Sequence, residues 1–287
     1  MVFAACHGRL TVHRHARSLM CEMTFAIRIH RESGPSIMLP WSDEGIGKPV
    51  IFIHGWALDR EMWEPQVKAL RDRFRILRMD RHGFGASNAG ASLARDVQAI
   101  REHIEHLDLR HIALVGMSQG ARVALGLAEA IPERLSCLVL DGAPCERAAR
   151  QDMEPEVPLE HLQQILGARG VDALRDELRK HPFVQLKIAR PDSVALLERM
   201  ISRYTARDLQ SPSDPLVHRA SAIETPALVM NGEFDSLTRR AMGDALAVIL
   251  PSAERAIVSG AGHLANLDNP TEYNEILERF IARHAAA

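Results

Sequence analysis

Short, continuous runs of apolar residues recur along most of the chain, each about as long as one β-strand. Continuous runs are typical of strands that are buried on both faces of a parallel sheet. Apolar residues at helical spacing separate most of these runs. The pattern therefore predicts an α/β fold, with helices on both faces of a mostly parallel, doubly wound sheet of about eight strands. The runs lie at residues 49–53, 74–79, 111–116, 135–140, 226–230 and 255–258.

The N-terminal part of the chain has a different pattern. Residues 24–31 alternate apolar and polar side chains, which predicts an antiparallel edge strand. Residues 36–41 are a second predicted strand, and residues 43–48 a loop. Residues 1–23 lack the apolar segment of a secretory signal, so we predict a flexible extension there. The first 21 residues contain arginine and no acidic residue, which is also compatible with a transit peptide.

One stretch interrupts the alternation of strands and helices. It lies between the strand that ends at residue 140 and the strand that begins at residue 226. Prolines open and close this stretch, and apolar residues inside it recur at helical spacing. We therefore predict a helical insertion between two strands of the sheet.

Composition and charge narrow the function classes. Apolar residues make up 46% of the 287 residues and charged residues 25%, as in ordinary globular proteins. The net charge of −2 creates no strong field for nucleic acid or for an anionic membrane. The four cysteines include no C-x-x-C pair and are too few to staple a fold of this size, which predicts a reducing compartment and a cytoplasmic location.

A nucleophile elbow is predicted at residues 116–120, whose sequence is Gly-Met-Ser-Gln-Gly. G-x-S-x-G between a strand and a helix forms a sharp, strained turn that lifts the serine hydroxyl clear of the sheet. Only small residues fit two positions before and after that serine. Ser118 is therefore the candidate nucleophile. The alternative is a serine that simply caps the N-terminus of the following helix.

A serine nucleophile needs an adjacent base, and the base needs an orienting carboxylate. His263 is the candidate base, because it follows the last predicted strand in a loop that contains glycines. Asp235, which follows the strand at residues 226–230, is the preferred acid. Asp141 and Glu233 are the alternatives. Any of the three acids could instead have only a structural role, as a turn residue that caps the next helix.

An acyl-transfer site also needs hydrogen-bond donors for the developing oxyanion. The backbone N–H groups of Trp56, in the loop after residues 49–53, and of Gln119, next to Ser118, are the candidates. For His54 we expect a structural hydrogen bond beneath the same loop rather than a catalytic role.

Two further motifs predict no function. Gly83 and Gly85 begin a G-x-G pattern, but the third glycine of a dinucleotide fingerprint is replaced by Asn88. His-Ile-Glu-His at residues 103–106 matches neither order of the zinc-binding helix motifs. We expect the second motif to lie on a solvated helix face.

Together these motifs resemble the α/β-hydrolase superfamily. A Met-Trp-x-Pro-Gln-Val run at residues 62–67 is similar to one in 3-oxoadipate enol-lactonases and small carboxylesterases. Haloalkane dehalogenases and epoxide hydrolases have aspartate where this chain has Ser118. The resemblance runs from about residue 25 to the C-terminus and rests on residues 54–56, 62–63 and 80–87, the elbow at Ser118, Asp235, and residues 262–263.

The resemblance implies a helical cap of residues 144–221 inserted into a core of residues 24–143 and 222–287. It also implies a triad of Ser118, Asp235 and His263 that cleaves a small-molecule ester or lactone without a metal or organic cofactor. Carbon–carbon bond hydrolysis of a dienoic ring-fission product, or ligand sensing with a retained triad, are the alternatives. Phe183, which follows a helix-breaking proline in the cap, is a candidate pocket residue that otherwise packs the cap.

Overall fold

The computed structural model describes residues 39–145, 156–211, 216 and 218–284. Seven strands within these residues form one sheet, in the spatial order β1-β3-β2-β4-β5-β6-β7. The strands are β1 (Trp41–Glu44), β2 (Lys48–Ile53), β3 (Phe74–Met79), β4 (Ile112–Met117), β5 (Leu135–Asp141), β6 (Ala227–Gly232) and β7 (Ala253–Val258).

Helices follow most of the strands along the chain. They are α1 (Glu64–Leu70), α2 (Leu93–His106), α3 (Gln119–Ala130), α4 (Leu159–Leu178), α5 (Pro191–Arg203), α6 (Leu237–Ile249), α7 (Ala265–Asp268) and α8 (Pro270–His284). Short 3₁₀ turns lie at Arg60–Trp63, Pro132–Arg134, Pro182–Val184, Asp208–Gln210 and Ala220–Ala222. Among the described residues, no helix is long and apolar enough to cross a membrane.

The sheet confirms the predicted α/β fold, because all strand pairs except β1–β3 are parallel. The six continuous apolar runs agree with β2 to β7 to within two residues at each end. Strand 24–31, which the sequence also predicts, and the predicted extension of residues 1–23 lie outside the described residues.

The prediction for residues 36–48 was wrong in part. Residues 36–38 lie outside the described residues, and β1 begins only at Trp41 and continues to Glu44, where a loop was expected. Its antiparallel partner β3 explains the difference, because Arg75 and Arg78 on β3 form ion pairs with the acids of β1. β1 is a short edge strand with mostly polar residues, so it lacks the apolar pattern that would predict a strand.

Trp41 of β1 also corrects the expectation of a solvated face for the motif at residues 103–106. Its ring stacks on His103, with a distance of 4.0 Å between ring centroids. Glu105 and His106 are exposed as expected, but His103 is half-buried.

The two faces of the sheet carry separate hydrophobic clusters. On β2, Val50 and Phe52 belong to one cluster, and Ile51 and Ile53 to the other, because successive side chains of a strand point to opposite faces. Helices α1 and α8 pack into the first cluster, and α2, α3 and α6 into the second. Cys137 on β5 is buried, and burial raises the pKa of its thiol to about 12, so it acts as a small apolar side chain.

Between β5 and β6 the chain forms α4, the turn at Pro182–Val184 and α5. We call residues 156–211 the helical segment. Gly170, with φ of 80°, divides α4 into two helical pieces. The predicted insertion of residues 144–221 includes residues 146–155, 212–215 and 217, which lie outside the described residues. Part of the segment forms a third hydrophobic cluster, of Leu162, Ile165, Leu174, Leu178, Tyr204, Ala206 and Leu209 with Ala57 and Phe84.

Candidate active site

Ser118 lies at the sharp turn between β4 and α3. Its φ of 52° and ψ of −115° are strained values for a residue with a side chain. A Cβ atom built on Gly116 would lie 2.5 Å from the carbonyl oxygen of Gly120, and one on Gly120 would lie 2.4 Å from that of Ile53. Close backbone approach therefore requires glycine at both positions of the motif. This favours the interpretation of the turn as a nucleophile elbow rather than as a simple helix cap.

His263 and Asp235 come from the loops that follow β7 and β6. The Nε2 atom of His263 lies 3.2 Å from the hydroxyl oxygen of Ser118. Its Nδ1 atom lies 3.0 and 3.1 Å from the two carboxylate oxygens of Asp235. With the proton on Nδ1, the ring donates to Asp235 and leaves Nε2 to accept the hydroxyl proton of Ser118. The three residues predicted from the sequence are thus brought together in one hydrogen-bonded row.

The carboxylate of Asp235 is held by further donors. Asn231 donates through Nδ2 at 2.9 Å and Ser236 through its backbone N–H at 2.8 Å. Burial raises the pKa of Asp235, but His263 and these hydrogen bonds outweigh burial and lower it overall. Asp235 is therefore ionised at neutral pH.

The two alternative acids lie elsewhere. Asp141 ends β5 and is fully buried; burial, and then the charge of Asp235, raise its pKa well above the usual range. Glu233 accepts a hydrogen bond from the backbone N–H of Gly260. In the described part of the chain, neither acid makes a hydrogen bond to His263. The geometry therefore distinguishes Asp235 from both.

The loop after β2 passes directly beside the elbow. A Cβ atom on Gly55 would lie 2.6 Å from the sulfur of Met117 and 3.5 Å from the Cβ of Ser118. Trp56 follows Gly55 in this loop. Gln119 is the first residue of α3, where a backbone N–H has no acceptor within the helix. The candidate oxyanion donors therefore belong to two segments that approach Ser118 closely.

A buried arginine connects these two segments, and sequence reasoning missed it. Arg81 donates through Nη2 to the side-chain oxygen of Gln119 at 2.7 Å and through Nη1 to the carbonyl of His54 at 3.1 Å. Asp96 of α2 neutralises it, at 2.9 Å from Nε. The Asp-Arg-His triplet at residues 80–82, directly after β3, was the available signal. A charged triplet directly after a buried strand indicates a functional or structural role for these residues. It does not indicate which loops the arginine side chain connects.

His54 is the structural histidine that the sequence analysis expected. Its Nδ1 donates to the carbonyl of Gly55 at 2.8 Å, and its Nε2 accepts from the backbone N–H of Arg81 at 3.0 Å. Burial, and then the charge of Arg81, lower the pKa of His54 to about 4. His54 is therefore neutral at pH 7, as these two hydrogen bonds require.

The helical segment contacts the site through side chains. Trp56 donates from its indole N–H to Asp208 at 2.7 Å, and the hydroxyl of Tyr204 donates to the other oxygen of the same carboxylate at 2.7 Å. Burial raises the pKa of Asp208 despite both donors. Trp56 thus fastens the loop after β2 to the segment.

Phe183 lies at the wall of the site. Its ring stacks on His263, with 4.1 Å between ring centroids and 27° between the planes. The guanidinium of Arg239 lies 4.9 Å from the same ring. Phe183 therefore packs against the candidate base and also faces the cavity, so the two roles expected for it are not exclusive.

A cavity of about 500 Å³ opens above Ser118. Its size is in the range of small-molecule sites. The helical segment contributes Phe183, Leu159 and Gln163 to its wall, and the sheet side contributes Trp56 and Gln119. In the described residues, no group of three or more His, Cys, Asp or Glu side chains is placed to hold a metal ion.

Comparisons with known proteins identify the family to which the chain belongs. Residues 50–276 match the Alpha/beta hydrolase family. The chain is 26% identical to a pimeloyl-[acyl-carrier protein] methyl ester esterase of Aeromonas hydrophila, over 83% of this chain and 96% of that protein. It is also 26% identical to a 2-hydroxy-6-oxononadienedioate/2-hydroxy-6-oxononatrienedioate hydrolase of Paraburkholderia phymatum, over 88% of this chain and 93% of that protein.

Solved structures show the same fold. An esterase from Thermogutta terrifontis is 25% identical, with a TM-score of 0.70 over 86% of this chain and 94% of its own. The enol-lactonase from Burkholderia xenovorans has the same TM-score of 0.70 over 85% of this chain and 96% of its own, at 21% identity. At that identity the likeness to the enol-lactonase concerns the fold alone.

Proposed function

Because the chain belongs to the alpha/beta hydrolase family, we propose that it is a serine hydrolase that cleaves a carboxylic ester or a lactone. The observation that carries the proposal is the hydrogen-bonded row of Ser118, His263 and Asp235, whose serine lines a cavity of about 500 Å³. A strained serine, a base and a buried acid in this order are the parts that acyl transfer needs.

In the proposed reaction, the hydroxyl oxygen of Ser118 attacks the substrate carbonyl while Nε2 of His263 takes its proton. The carboxylate of Asp235 keeps the other ring proton in place and stabilises the imidazolium that forms. His263 then donates the proton to the leaving alkoxide, which leaves an acyl group on Ser118. Water, activated by the same histidine, attacks the acyl group and releases the acid. No step requires a metal ion or an organic cofactor.

The backbone N–H groups of Trp56 and Gln119 are the proposed oxyanion donors. Support comes from the close approach of Gly55 to Ser118 and from the position of Gln119 at the start of α3. In this proposal Arg81 holds both donors in register, because it binds the carbonyl of His54 and the side chain of Gln119. Preorganised donors of this kind cost no reorganisation during the reaction.

We further propose that residues 144–221 are a cap on a core of residues 24–143 and 222–287. Two observations support this division: most members of the third hydrophobic cluster belong to the segment, and the segment contributes to the cavity wall. However, Leu197, Met200 and Ile201 of α5 belong to a hydrophobic cluster of the sheet. The proposed cap is therefore anchored along α5, and the first turns of α4 contribute Leu159 and Gln163 to the cavity wall.

Hydrolysis of a carbon–carbon bond is the second candidate, because one relative is a 2-hydroxy-6-oxononadienedioate/2-hydroxy-6-oxononatrienedioate hydrolase. The same three residues would serve it. A dienoic 2-hydroxy-6-oxo acid and a set of p-nitrophenyl esters and lactones, assayed side by side, separate the two reactions.

The deciding experiment is labelling with a fluorophosphonate, followed by peptide mapping and the same substrate panel. We expect a single label on Ser118 and turnover of at least one ester or lactone. Ser252→Ala, which changes an exposed serine in a turn, is the control that keeps the label. A folded protein that takes no label and turns over no substrate contradicts the proposal. Stoichiometric capture of a ligand without turnover would favour the sensing alternative.

A further inference from the structure

The backbone around Trp56 is strained. Ala57, the residue after Trp56, has a φ of 59°, which lies in the left-handed region that side chains disfavour. Strained backbone of this kind persists only where the surrounding structure holds it. The contacts that hold this loop therefore decide where the backbone N–H of Trp56, a proposed oxyanion donor, points.

The sheet side holds the loop through the residues before Trp56. Nδ1 of His54 donates to the carbonyl of Gly55 at 2.8 Å. Arg81 donates through Nη1 to the carbonyl of His54 at 3.1 Å. Both contacts act on the loop where it leaves β2, so they fix its beginning.

The helical segment holds the loop from Trp56 onward. The indole N–H of Trp56 donates to the carboxylate of Asp208 at 2.7 Å. Ala57 is buried in the third hydrophobic cluster, most of whose members belong to the segment. An indole N–H can only donate a hydrogen bond, so it needs an acceptor at a half-buried position. Asp208 supplies that acceptor from a part of the chain about 150 residues away.

Asp208 is itself held in place. It begins a 3₁₀ turn, and the residues on both sides of this turn contact the loop between β3 and α2. Arg207, before the turn, donates through Nη1 to the carbonyl of Ser87 at 2.9 Å. The hydroxyl of Ser211, after the turn, accepts from the backbone N–H of Ala91 at 3.0 Å. A carboxylate fixed in this way can fix the side chain that binds it.

We propose that Asp208 is a positioning residue for the reaction: by binding the indole of Trp56, it keeps the backbone N–H of Trp56 directed at the oxyanion that forms on the carbonyl attacked by Ser118. This inference rests on the proposed function, because it assigns a further residue to that same site. Arg81 holds the oxyanion donors from the sheet and Asp208 from the helical segment. A displacement of about 1 Å at a reacting centre can cost on the order of a hundredfold in rate, so such a contact matters to kcat.

Asp208→Ala removes the acceptor and tests the inference. We expect kcat to fall by about 10- to 100-fold for every ester, with KM changed by less than about threefold, because the lost interaction acts on the transition state. The inhibition constant of butylboronic acid is a second measurement. Its tetrahedral adduct with Ser118 places an oxygen where the oxyanion forms, so the constant should rise by a factor similar to the fall in kcat.

Two further variants separate positioning from general loosening of the segment. Asp208→Asn is the conservative rescue, because its amide oxygen can still accept from Trp56, and we expect kcat within about threefold of the wild type. Tyr204→Phe is the matched control, because it removes the other hydrogen bond to the same carboxylate, at 2.7 Å, and leaves the bond from Trp56. It should lower the melting temperature while kcat stays within about threefold.

A double-mutant cycle tests whether Asp208 acts through Trp56. Trp56→Phe removes the indole donor and keeps an aromatic ring, so its loss in kcat should resemble that of Asp208→Ala. The double variant should be no slower than the slower single variant, because both changes remove one interaction. If Asp208→Ala does not fold, Trp56→Phe and Asp208→Asn decide, and an unchanged kcat in Trp56→Phe overturns the inference.

The outcomes separate this inference from the proposed function. A kcat that stays within about threefold in Asp208→Ala, an equal loss in Asp208→Asn, or losses that multiply in the double variant overturn the inference and leave the serine hydrolase standing. A folded wild-type protein that turns over no ester and takes no fluorophosphonate label overturns both.

Discussion

Two regions meet at the candidate site, and they are built in different ways. The loops at the end of the sheet are positioned by the backbone: the strain at Ser118 and the close approach of Gly120 to Ile53 leave little freedom. The helical segment contacts the same site through its side chains. One example is Asp208, which accepts a hydrogen bond from the indole N–H of Trp56. Close backbone approach restricts which residues fit at the elbow, whereas a wall made of side chains can be altered by substitution.

The difference suggests that the two regions have separate functions. Reacting groups need exact placement, and Ser118, Asp235 and His263, which we propose for that role, all follow strands of the sheet. Substrate choice needs a wall that can change without moving those groups. Phe183 lies where the two regions touch, because its ring belongs to the segment and stacks on His263. Variants at the strand ends should therefore lower activity on every substrate, and variants at the cavity wall of the helical segment, apart from Asp208, should change which substrate is preferred.

The largest expected effect is on the sheet side. Ser118→Ala should lower kcat by a factor on the order of 10⁶ for every substrate, because no other group supplies the nucleophile. Its free energy of unfolding should change by less than about 1 kcal/mol, since only one hydroxyl is lost. Steady-state kinetics and a urea titration measure the two quantities. A variant that keeps more than about a hundredth of the activity contradicts the role proposed for Ser118.

Asp235→Asn should lower kcat by about 10⁴, because an amide cannot stabilise the imidazolium and favours the wrong tautomer of His263. Asp141→Asn is the matched control. Burial raises the pKa of Asp141, and its carboxyl makes no hydrogen bond to His263 in the described part of the chain, so we expect a change in kcat below about tenfold. If Asp141→Asn had the larger effect, the acid would belong to the end of β5 instead.

A change at the boundary between the two regions should alter selectivity. Phe183→Ala opens space next to the site, so we expect the ester with the highest kcat/KM to shift toward longer acyl chains in a C2 to C10 series. Loss of the buried ring should also cost about 3–5 kcal/mol of stability.

Leu162→Ala is the control for Phe183, because Leu162 is buried in the segment's own cluster. It should cost about 2–5 kcal/mol of stability without moving the chain-length preference. An equal fall in activity across all chain lengths for Phe183→Ala would show that Phe183 only packs the segment.

The smallest expected effect concerns pH. The pKa of His54 is lowered from 6.5 to about 4 in the folded protein. Between these values the unfolded chain binds more protons than the folded one, so the free energy of unfolding falls as the pH falls from 6.5 to 4. From pH 7 to pH 5, His54 should contribute a loss of about 2 kcal/mol.

Urea titrations at pH 7 and pH 5 measure this loss. His54→Asn should remove it, although the variant is less stable at both values. His106→Asn, at an exposed position of α2, is the control and should retain the wild-type difference. An unchanged difference in His54→Asn would show that other groups carry the acid sensitivity.

Elements that depend on a local sequence pattern were predicted closely, and elements that depend on distant partner residues were not. Strands β2 to β6 were predicted closely because a strand buried on both faces is apolar along most of its length. β7 is an edge strand with exposed positions, and the predicted run covers only its last four residues. The positions of Ser118, Asp235 and His263 were predicted because each follows such a strand, and the ends of parallel strands meet at one edge. The edge strand β1 was misplaced, because it has no continuous apolar run and is paired with residues of β3 that lie 32 to 38 positions away in the chain.

The sequence by itself determined the α/β fold, the elbow at residues 116–120 and the candidate nucleophile. Local chemistry suffices there, because a turn that brings backbone atoms this close admits only glycine at two positions. Only the tertiary structure decided between Asp235, Asp141 and Glu233 as the partner of His263, and only it showed Arg81, Arg122 and Arg239 at one cavity. Hydrogen-bond distances and the lining of a cavity depend on side chains that are far apart in the chain, and no local pattern records them.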